Sequence, residues 1–68
     1  MPEIVFLVEE APEGDYTAHA LGHSIYTEAD TWEELKGAIH DAVYCHFEGS
    51  EKPYFVRMHF IRQEVFAA

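Results

Sequence analysis

Positive charge is scarce in this chain: 68 residues carry four Lys and Arg against thirteen Asp and Glu, a formal charge of −9. Such a surface repels phosphate backbones over the range of electrostatic steering, which argues against direct binding of DNA or RNA. A basic protein partner makes better use of the field, because complementary potentials speed encounter and suppress wrong partners. The charge also serves solubility alone, and both readings stand. Cysteine is almost missing as well. The lone Cys45 excludes an internal disulfide and points to a reducing compartment. No basic leader precedes an apolar stretch, and no apolar run approaches membrane-spanning length, so a cytoplasmic protein without a membrane segment is expected. Repeats, linkers and low-complexity tracts are absent, which leaves one domain over residues 1–68. That is close to the smallest size at which one core outweighs chain entropy, so help from self-association is expected.

What the chain does have is apolar pattern: 49% of it is hydrophobic, with five Phe, four Tyr and one Trp, enough for a compact core. Pro2 to Glu9 is a continuous β-branched and aromatic run, which predicts a central strand buried on both faces. A loop with Pro12 and Gly14 follows. Tyr16–Leu21 and His23–Glu28 flank Leu21-Gly22, a glycine bend suited to an antiparallel hairpin. Thr31 and Glu34 have the spacing of a capping box, and Glu33 and Glu34 fall in the first helical turn, where the dipole favours acid. At about 100° per residue, Trp32, Leu35, Ile39, Ala42 and Val43 share one arc flanked by Ala38 and Phe47, and glycine at Glu48-Gly49 is the expected stop. After Ser50–Pro53, residues Tyr54–Arg62 alternate, with Val56, Met58 and Phe60 on one face and Phe55, Arg57, His59 and Ile61 on the other. The order β-β-β-α-β predicts an α+β fold: an antiparallel-dominated sheet with one helix packed on one face.

One helix covers one face of four strands. Val5, Leu7, Phe55 and Ile61 then lack cover on the other, which predicts a homo-oligomer built on that face. The apolar pair Val65-Phe66 folding back over it is the alternative. On the helix, Glu33, Gly37, His40 and Tyr44 form an outer stripe in which a glycine lets another chain come close, while a merely solvated face is the plainer account.

Five histidines invite a metal site, but His19, His23, His40, Cys45, His46 and His59 match no zinc spacing, so no metal or cofactor is expected. His46 reads as a packing and capping residue near the helix C-terminus. Acid is dense at Glu9, Glu10, Glu13, Asp15, Glu28, Asp30, Glu33 and Glu34, in two segments that the hairpin brings towards one end of the sheet. Paired carboxylates bind Mg²⁺ in nucleases, yet most of these lie in loops or the first helical turn, where a solvated rim is expected. Ser24 and Ser50 lack a nucleophile elbow and Cys45 lacks a catalytic signature, so no catalytic residue is assigned.

The stretch Gly14-Asp15-Tyr16 through Leu21-Gly22 to Asp30-Thr31-Trp32-Glu33-Glu34-Leu35 resembles HicB-like antitoxin domains, which share this succession of strand, glycine turn, strand, Asp-Thr pair and helix. The likeness covers Gly14 to Phe47, and Leu21-Gly22-His23-Ser24 departs from the family's Leu-Pro-Gly-Cys-type turn. It implies a partial RNase H-like fold without the nuclease carboxylates, in a protein that neutralises a HicA-like toxin, a small basic RNase of double-stranded-RNA-binding fold. The partner-binding residues are then expected among Glu33, Glu34, Gly37, His40 and Tyr44. The 68 residues hold no helix-turn-helix or ribbon-helix-helix pattern, so operator binding is not expected. A degenerate metal-dependent nuclease and an orphan self-associating scaffold are the other readings.

Overall fold

The computed structural model describes residues 3–53, 55–62 and 65–68, and for Ser50 the backbone alone. Strands β1 (Glu3–Glu10), β2 (Tyr16–Ala20) and β3 (Tyr26–Ala29) form an antiparallel meander, helix α1 (Trp32–His46) crosses over it, and β4 (Phe55–Ile61) returns. The sheet order is β3-β2-β1-β4, with β4 parallel to β1, so two of the three pairings are antiparallel. The architecture is the α+β arrangement expected. Pro2 and Tyr54, the expected first residues of β1 and β4, lie outside the described residues.

Pleating decides which side chains meet the helix. The register Phe6↔Ala20, Val8↔Ala18 and Phe6↔Met58 puts Ile4, Phe6, Val8, Ala18 and Ala20 on the helix side, where they pack with Leu35, Ile39, Val43 and Phe47 into the core. Each fully buried aliphatic or aromatic side chain contributes about 1.5–3 kcal/mol. The same alternation corrects the expectation for β1. It is central but buried on one face only, because Val5 and Leu7 point to the side that α1 does not cover and stay half-buried.

Four local expectations also shift. The hairpin bend is longer, spanning residues 21–25, because Ile25 turns into the core while its carbonyl accepts from the Ala20 N–H at 3.0 Å. Gly22 supplies the positive φ of 79° there, and Ser24 belongs to the loop rather than a strand. At the helix start the Glu34 N–H donates to Thr31 Oγ1 at 3.1 Å, and this half of the capping box is the one made among the described residues. The helix stops at His46, earlier than Gly49, because Phe47 takes extended backbone that drives its ring into the core. Gly49, with φ 56°, opens a 3-10 turn instead. Val65 and Phe66 do not fold back: they are 97% and 81% exposed.

Candidate functional site

The two flanks of α1 differ because residues two apart on a helix are rotated by about 200°. On the flank facing β3, Glu34 and Ala38 look across to Ala29 and Asp30, Glu28 lines the same edge although pleating turns it with Tyr26 to the other face, and Asp15 closes the end where β2 begins. Together they line an open hollow of about 450 Å³ without a Lys or Arg in its wall. Asp15 Oδ1 is buried beside it with no hydrogen-bond partner among the described residues, a costly state for a carboxylate oxygen. The expected gathering of acid at one end of the sheet is therefore met by Asp15, Asp30 and Glu34, whereas the Glu28 side chain belongs to the open face and Glu9, Glu10 and Glu13 do not line the hollow.

On the other flank, Lys36, Ile39 and His40 face Val56 and Met58 of β4 across a smaller, largely apolar groove of about 210 Å³. Pattern reading had put Val56 and Met58 on the helix face, but it missed that α1 sits over β2 and β3 and leaves this gap beside β4. Phe60, next along the strand, is held by Trp32 and Tyr16, with ring centroids 5.6 and 6.2 Å away.

The expected partner-binding residues divide between these regions. Glu34 joins the hollow, but Glu33 points outward and pairs with Lys36 at 3.2 Å. Gly37, His40 and Tyr44 are exposed along the outer helix, the His40 and Tyr44 rings 5.3 Å apart. Lys52, from the segment after the helix, lies 3.3 Å above the Tyr44 ring and occupies its face. A Cβ added at Gly37 would meet nothing within 4 Å, so the chain's own packing does not require glycine here.

The open face of the sheet is more polar than the four apolar residues suggested. Val5, Leu7 and Ile61 are half-buried and Phe55 is exposed, but Arg57 lies among them and donates to both carboxylate oxygens of Glu3 at 3.0 and 3.1 Å. The hydrogen bond from Arg57 holds the Glu3 carboxyl below its ordinary value, and the same contact raises the Arg57 guanidinium. His19, Tyr26 and His59 share the face.

His46 is exposed rather than partly buried, although it packs edge-on against Phe47 and His23 at 4.9 and 5.8 Å. Among the described residues no three His, Cys, Asp or Glu side chains stand close enough to hold one metal ion. No described helix is long and apolar enough to cross a membrane.

No family model matches the chain, and no solved structure is significantly similar to it. Two curated proteins are. A UPF0150 protein of Archaeoglobus fulgidus is 60% identical over 50 residues, 74% of either chain. A UPF0150 protein of Thermotoga maritima is 44% identical over 66 residues, 96% of this chain and 91% of the relative. With that identity carried over nearly the whole length of both chains, this protein belongs to the UPF0150 family.

Proposed function

We propose that the chain is a non-enzymatic HicB-like antitoxin-type module of the cytoplasm that binds and neutralises a small basic HicA-like RNase toxin. The observation that carries this reading is the hollow between β3 and α1. Asp15, Asp30 and Glu34 bring carboxylates to it from three places in the sequence, no Lys or Arg lines its wall among the described residues, and Asp15 Oδ1 is buried beside it without a hydrogen-bond partner among those residues. An RNase that grips RNA must present Lys and Arg around its reacting centre, and an acidic surface seated on those cations inhibits by exclusion. The resemblance of Gly14 to Phe47 to HicB-like domains supplies the partner class. Glu33, Gly37, His40 and Tyr44, outside the hollow on the outer side of the helix, extend the contact along it. Self-association belongs to the same reading, with Val5, Leu7, Phe55 and Ile61 on the face that α1 leaves open.

The experiment is an RNA-cleavage assay with a small basic HicA-like RNase. Cleavage that stops near equimolar addition of the chain supports the reading. Cleavage that continues at every ratio overturns it. Mg²⁺-dependent cleavage by the chain alone, abolished in Asp15→Asn or Glu28→Gln, would establish the nuclease reading in its place.

A further inference from the structure

The two edges of the sheet are not alike. β3 is four residues long, carries Glu28 and runs into Asp30, a short and charged edge of the kind that resists pairing. β4 is seven residues long with no proline and no lysine, and its one formal charge, Arg57, is already held by Glu3. No described strand lies beyond it. Its exposed apolar residues lie on both faces: Val56 at 40% and Phe60 at 37% on the helix side, Phe55 at 69% on the open side.

We infer that β4 is a self-pairing edge, along which two copies of this chain join antiparallel into one eight-stranded sheet with Met58 on the two-fold axis. The order Phe55-Val56-Arg57-Met58-His59-Phe60-Ile61 reads nearly alike from either end. Antiparallel pairing about Met58 sets Phe55 against Ile61 and Val56 against Phe60 of the second copy, aromatic against aliphatic in both cases, the type of cross-strand pair that stabilises sheets. Arg57, neutralised by Glu3, meets His59. On the helix side, Val56, Met58 and Phe60 of both copies form one apolar floor beside the groove that Ile39 lines.

Charge selects a second copy for this edge. Two chains of −9 repel each other wherever their acid meets, but residues 53–62 contain no Asp or Glu. Three inter-strand steps of about 4.8 Å place β3 and its carboxylates roughly 14 Å away. That exceeds the Debye length of about 8 Å at physiological salt, and of the nearer acid on β1, Glu3 is paired with Arg57 while Glu9 and Glu10 lie at the end of the strand beside Ile61. A strongly basic partner would meet Arg57 and Arg62 here, and its better seat is the acidic flank. This inference rests on the self-association part of the reading above and moves its seam from the open face to the β4 edge.

The test uses the whole chain with Cys45→Ser and Met58→Cys, without any RNase, so toxin neutralisation is not at stake. Light scattering at about 100 µM is expected to show twice the chain mass. Air oxidation should give a covalent dimer, because directly opposite antiparallel residues lie about 4.5–5.5 Å apart at Cα, within disulfide reach. Val56→Lys in the otherwise unaltered chain should give a folded monomer by circular dichroism. A monomeric parent overturns both the edge and self-association itself. A dimer that neither cross-links at position 58 nor responds to Val56→Lys, but is lost in Leu7→Lys, overturns the edge and puts the seam on the open face.

Discussion

The two flanks of α1 are built from neighbouring positions and have opposite characters. Glu34 and Ala38 give a polar, purely anionic hollow against β3, while Lys36, Ile39 and His40 give an apolar groove with a basic rim against β4. A rotation of about 200° between Glu34 and Lys36 is enough to separate them. The lesson is that one short helix can keep two kinds of contact apart. Charge on one side governs encounter with a cationic surface, and apolar area on the other favours lasting contact with a chain that brings no acid.

The comparison breaks most completely if the ridge between the flanks is lost. Leu35, wholly buried under the helix, is that ridge. Leu35→Ala is expected to cost about 2–5 kcal/mol. At roughly 0.1 kcal/mol per residue the whole chain is stable by only about 3–10 kcal/mol. Urea unfolding should show a chain close to its midpoint in water, and a change below about 0.5 kcal/mol would contradict the packing described.

Next in size are the helix start and its glycine. Thr31→Ala removes the acceptor of the Glu34 N–H beside the acidic flank and should cost about 1 kcal/mol by thermal denaturation. Gly37→Ala should do the reverse, adding about 1 kcal/mol, since the new methyl meets nothing and alanine is the better helix former. If the outer stripe is part of the partner contact, the same substitution weakens partner binding while it stabilises the fold. Stability gained with binding unchanged confines the contact to the hollow.

The smallest effect tests the β4 side. Glu3 has its carboxyl lowered in the folded state by Arg57, so the pair stabilises the fold above the unfolded carboxylate's value and that contribution disappears as pH falls through the lowered one. Arg57→Gln should therefore lower the melting temperature slightly at neutral pH and not at all in acid below the usual carboxylate range. A difference of equal size at both pH values would show that Arg57 acts through packing instead.

Much of this was legible in the chain itself, for stated physical reasons. An apolar run, a glycine bend and a period-two alternation located the four described strands, a period-3.6 arc located the helix, and Thr31 with Glu34 marked the helix start to the residue. What failed were choices made by tertiary packing. Ile25 and Phe47 leave regular structure because burying them outweighs continuing a strand or a helix, and no local signal reports that exchange. The convergence of Asp15 with Asp30 and Glu34 was readable as two acidic segments joined by a hairpin. Which carboxylates would line the hollow depended on where α1 lies across the sheet, a quantity that residue spacing does not contain. For the same reason the groove at Ile39, Val56 and Met58 was invisible, although each residue's face was assigned correctly.

The most direct test of the central claim is the association rate with a basic RNase as a function of salt, for the parent chain, for Asp30→Lys with Glu34→Lys, and for Glu33→Lys. The account predicts that reversing the two hollow carboxylates slows association at low salt by at least about tenfold and flattens its salt dependence, while the outward Glu33, already paired with Lys36, changes little. Equal rates for the parent and the double reversal, with both proteins folded, would contradict it.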